Sequence, residues 1–123
     1  MAIEASETVF PGQSIELLNP DSAEDKKTLV AYVESLIDRV ATAAKQIEDR
    51  YYGNLPIDLA LLSSATNQLA EIRFVESRLK ALASVFSGHA GAADVIAQAQ
   101  EKCGRALGLA EEHFASIKHW FAA

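Results

Sequence analysis

His89, His113, His119 and Cys103 are the side chains of this chain best suited to acid–base, nucleophilic or metal chemistry. Their spacing argues against each of these. His113 and His119 are six residues apart, about 600° of helical rotation at ~100° per residue, so they share no helix face. A zinc-binding pair would follow the HExxH pattern, and a di-iron bundle would repeat Glu-x-x-His on two helices. Neither pattern occurs, and the neighbours Glu112 and His113 point apart on a helix. Cys103 falls on an apolar stripe among alanines, where a thiol is a small hydrophobe. Ser63, Ser64 and Ser77 lie in a helical pattern without a base or orienter evident beside them. The carboxylate pairs Glu24/Asp25 and Glu111/Glu112 read as solvated faces. GxGxxG and Walker A loops are absent. The sequence therefore assigns no catalytic residue, no cofactor and no metal ligand.

The elements that would position these residues are three long helices. In the middle of the chain, Leu62, Ala65, Leu69, Ile72, Val75, Leu79, Leu82 and Phe86 recur in steps of three and four, the rhythm of one helix face. A flank of Leu55, Leu59, Phe74 and Val85 widens that stripe into an arc suited to neighbours on two sides. Pro56 suits a first helical position, Asp58 a first turn, and Gly88 a left-handed C-terminal cap. An earlier helix carries Leu29, Val33, Leu36, Val40, Ala43 or Ala44, Ile47 and Tyr51, capped by Asp21 or Ser22 and closed by Gly53-Asn54. A later one carries Ala92 or Val95, Ile96, Ala99, Cys103, Ala106 or Leu107, Ala110, Phe114, Ile117 and Phe121. Short links force each helix to fold back on the one before. The expected fold is all-α: an up-down-up antiparallel bundle of helices at about 22–52, 56–87 and 91–121, with residues 1–20 as a separate extended arm. Pro11-Gly12 marks a turn in that arm. Three readings of the arm stand: a frayed tail, a reach to a neighbouring subunit, or docking on its own bundle through Val9, Phe10, Ile15 and Leu18. Gly104 and Gly108, one turn apart, read equally as tolerated irregularities or as close packing within the bundle, with a subunit contact as the third choice.

Composition sets the class. A chain of 123 residues is one domain, large enough for its own core. Alanine supplies 22 of the apolar residues, so close helix approach is expected rather than a bulky core. The formal charge is −6, and residues 1–53 hold ten acids against five bases. Without a basic stripe there is no electrostatic footprint for nucleic acid or for an anionic membrane. No apolar run approaches a membrane span, no secretory signal is visible, and a single thiol forms no internal disulfide; a cytoplasmic protein is the expectation.

What remains are docking surfaces. The up-down-up layout brings the end of the third helix to the end of the first. Tyr51, Tyr52, Leu55, Phe114, Trp120 and Phe121 would gather there, with Val9 and Phe10 on the arm as further contacts. Such a group is either an interface anchor or an end-cap of the core. The first functional reading is a non-enzymatic helical interaction module, a small regulator, adaptor or assembly component, whose protein partner is another protein or a second copy in a homodimer. The alternatives are a binder of a small apolar ligand or hydrophobic surface, and an enzyme or histidine phosphocarrier using His89 or His113. Phosphotransfer bundles place their histidine in mid-helix, whereas His89 falls in the Ser87–Gly91 turn.

Overall fold

Ser22 opens the first helix, α1 (Ala23–Tyr52), by accepting a hydrogen bond from the Asp25 N–H, with Glu24 and Asp25 set against the helix dipole. The computed structural model describes the backbone of residues 8–10, 13–53 and 58–122 and the side chains of residues 15–53 and 58–121. Two further long helices follow, α2 (Leu59–Val85) and α3 (Ala90–Ala122). Each packs against both others, giving the three-helix all-α bundle that the periodicity implies. In front of α1, β1 (Thr8–Phe10) and β2 (Gln13–Ser14) pair antiparallel, and Ile15–Leu17 form a turn of 3-10 helix. The Pro11-Gly12 turn between the strands lies outside the described residues.

The core follows the stripes. Leu29, Val33, Leu36, Val40, Ala43 and Ile47 of α1 are buried against Ala65, Leu69, Ile72, Val75, Leu79 and Leu82 of α2 and Ala92, Ile96, Ala99, Cys103, Leu107, Ala110 and Ile117 of α3. Each fully buried Leu or Ile contributes about 1.5–3 kcal/mol by leaving water. Ile15 and Leu18 join this core from the segment ahead of α1.

Four expectations change. First, α2 starts at Leu59, not at Pro56: Asp58 is itself the N-cap, its Oδ1 accepting from the Leu61 N–H at 2.9 Å. Pro56 lies outside the described residues. Second, α2 ends through Phe86, whose N–H reaches the Leu82 carbonyl, and His89 N–H reaches the Phe86 carbonyl. Gly88 takes no left-handed conformation, its φ lying outside that region. Third, the flank Leu59, Phe74 and Val85 stays exposed, because one stripe on α2 serves both neighbouring helices. Fourth, Gly104 and Gly108 pack against nothing: a Cβ on either would meet open space. The choice of close packing within the bundle is removed.

Candidate functional site

Tyr51 and Tyr52 close α1 at the end of the bundle where α2 begins and α3 finishes. Tyr51 is half-buried and stacks on the His113 ring at 4.3 Å and on Trp120 at 5.4 Å, with near-parallel planes. Tyr52 meets Tyr51 edge-on at 4.7 Å and approaches His113 edge-on at 5.7 Å. His113 is buried, with 7% of its surface exposed, and forms the floor of the group. On its outside, Tyr52 is 70% exposed, Trp120 47% and Phe121 41%. Leu59, the first residue of α2, is exposed at the same end. Half of the exposed large apolar side chains among the described residues therefore sit at this one end. Aromatic pairs of this geometry contribute about 0.5–1.5 kcal/mol beyond area burial, so the rings are held in place.

The sequence-derived members divide clearly. Tyr51, Tyr52 and Trp120 come together in one ring cluster, Trp120 stacked on Tyr51 and Tyr52 edge-on to it; Phe121 is exposed beside them in sequence, and Phe114 packs half-buried against the core. Leu55 lies outside the described residues. Val9 and Phe10 belong to β1 by backbone, and their side chains lie outside the described ones. His113 was missed as a member. On α3 the buried steps run Ala110, His113, Ile117, so the inward position at the last turns belongs to His113 rather than to Phe114. The spacing of three and four would have found it, had polar residues been admitted to the stripe.

Arg78 is a second residue that hydrophobic periodicity passes over. It sits on α2 with only 7% of its surface exposed. Its Nε donates to Tyr32 Oη at 2.8 Å, and its Nη1 pairs with Glu16 Oε2 at 2.8 Å. Burial works against the charged guanidinium, but the bonds to Glu16 and Tyr32 outweigh it and raise its pKa further. Lower on the same α1–α2 face, Arg39 donates twice to Glu71, at 2.9 and 3.1 Å, and lies 5.2 Å from the Phe74 ring centroid. Those bonds hold the Glu71 carboxyl below its ordinary pKa. This pair borders an open groove of about 500 Å³ that continues past Gln46, Ser64 and Gln68. Arg50 donates to Ser64 Oγ there, and Gln68 to Gln46. These polar groups bind one another across the helix seam, and nothing in their arrangement sets a nucleophile beside a base.

The remaining reactive groups are dispersed. Cys103 is buried, with its Sγ 3.9 Å from the Ile72 carbonyl oxygen, and burial pushes the thiol pKa up. His89 Nδ1 lies 3.5 Å from Asp21 Oδ1 at the opposite end of the bundle from His113. Among the described residues, no three His, Cys, Asp or Glu side chains are grouped closely enough to hold a metal ion. No helix among them is long and apolar enough to cross a membrane. No protein-family model matches the chain, and no curated protein or solved structure matches it.

Proposed function

We propose that this chain is a non-enzymatic helical interaction module of the cytoplasm that docks a protein partner on its aromatic end. The observation that carries the reading is the concentration of Tyr52, Trp120 and Phe121, all substantially exposed, over a floor of stacked Tyr51 and His113. Tyr and Trp are the residue types that anchor interfaces, because they offer large rigid area at small entropic cost. Preordered rings lower that cost again. The net charge of −6 favours a partner surface with basic groups around an apolar centre.

Site-specific photo-crosslinking in cells tests this. A crosslinking side chain at Lys118, beside the cluster, captures a partner band that the same group at Glu101, in the middle of α3, does not. The double substitution Tyr52→Ala and Trp120→Ala removes the band, and light scattering of the purified chain tells whether the partner is a second copy. Equal capture at both positions, or a band indifferent to the double substitution, would remove the reading.

A further inference from the structure

Ile15, Glu16 and Leu18 form a small unit with its own chemistry. Ile15 is fully buried and Leu18 nearly so, each filling a place in the bundle core. Between them, Glu16 reaches the recessed Arg78. The 3-10 turn closes with a short-range backbone bond, Leu18 N–H to the Ile15 carbonyl at 3.2 Å. Its tie to α1 is a local knot: Asn19 N–H donates to Asp25 Oδ2, Asp21 N–H to Asn19 Oδ1, and Ser22 N–H to the Asn19 carbonyl. So the segment buries two large aliphatic side chains, whereas α1 alone buries Leu29, Tyr32, Val33, Leu36, Val40, Ala43 and Ile47. Elements with few buried contacts open locally before the whole molecule does.

We propose that residues 15–18 are a detachable strap, and that the α1–α2 surface under it is a docking site for a short segment of aliphatic–acidic–x–aliphatic pattern. The strap is the occupant in the closed form. The site outlasts its departure because its walls are helical. Arg78 stays aimed by Tyr32, which binds its Nε from α1 and places its ring 5.6 Å from the guanidinium carbon. A segment that seats there must bring a carboxylate, since an apolar one would cover a nearly buried cation without its acid. It must also bring two aliphatic side chains three positions apart, to fill the places of Ile15 and Leu18. The tether at Asn19–Ser22 keeps the displaced strap at high local concentration, so an outside segment competes against an intramolecular one.

Two measurements test this on the full chain. In the wild type, hydrogen exchange in low urea shows the Leu18 amide opening at least tenfold more readily than the Leu36 and Val75 amides, with almost no urea dependence. Equal protection and equal urea slopes would overturn the strap. In the Glu16→Gln chain, whose own strap is weakened, a synthetic peptide copying residues 13–21 with its glutamate intact shifts the Arg78 Nε–H resonance saturably. The same peptide with glutamine at that position binds at least tenfold more weakly. Absence of a saturable shift at millimolar peptide, or equal binding of the two peptides, would overturn the docking site.

Discussion

Glu71 shows how one side chain sets a pH response. Its two bonds from Arg39 hold its pKa below the ordinary carboxylate value of 4.5. A carboxyl depressed on folding contributes stability that is present above the unfolded pKa and is lost as pH falls through the folded one. Acid therefore removes this contribution below about pH 4.5. Both partners are more than a third exposed, so the pair contributes about 0.2–1 kcal/mol. Urea titrations of Glu71→Gln against wild type should differ by that much at pH 7 and converge as the pH falls below the carboxyl's lowered pKa. Cys103 makes the opposite case. With its sulfur buried and its pKa raised by burial, and by Glu76 to a lesser degree, little thiolate is offered to a reagent. A disulfide reagent should label the native chain at least a hundredfold more slowly than the urea-unfolded chain. Labelling at similar rates would mean that α3 opens readily at its middle.

At the scale of elements, α3 separates what spacing can tell from what it cannot. Ala92, Ile96, Ala99, Cys103, Leu107, Ala110 and Ile117 follow the helical step and are buried, as their pattern requires. The same rule selected Phe114 and Phe121 for the last turns and passed over His113, since a binary pattern cannot anticipate an imidazole stacked on Tyr51. It also failed for Phe74 and Val85 on α2. Their positions depend on how two neighbours share one stripe, which is a property of the assembled bundle rather than of a single helix. Ile15 and Leu18 enter the sequence reading only in one of three choices for the arm, docking on its own bundle, because four residues carry no period; tertiary contact makes them core. Gly104 and Gly108 show the converse. Each is a helix-interior glycine with open space where a Cβ would stand. Replacing both with alanine should stabilise the chain by roughly 1–2 kcal/mol, each contributing about 0.5–1 kcal/mol through helix propensity. Thermal melts read the gain. A loss instead, accompanied by a fall in mass measured by light scattering, would place these glycines in a contact between copies.

Across the whole molecule, the aromatic end and the Glu16–Arg78 group are two separate clusters on one bundle. Tyr51 and Tyr32 lie on the same helix, so their nineteen-residue separation spans roughly 28 Å at ~1.5 Å per residue. Trp120 belongs to the first group through Tyr51, and Glu16 to the second through Arg78 and Tyr32. The two groups share no side chain, and the helical segment between them is lined by continuous core from Leu36 to Ile47. Changes at sites so far apart add within about 0.3–0.5 kcal/mol when nothing couples them. Glu16→Gln, which removes a charge-assisted bond worth about 1.5–3 kcal/mol, and Trp120→Ala should therefore have additive effects on the urea midpoint. The partner captured beside Trp120 should be retained in the Glu16→Gln chain. If the double variant departs from additivity by 1 kcal/mol or more, or if Glu16→Gln releases the partner, the rod transmits the state of its strap to its aromatic end. The two clusters would then act as one switch, with α1 as the connecting element.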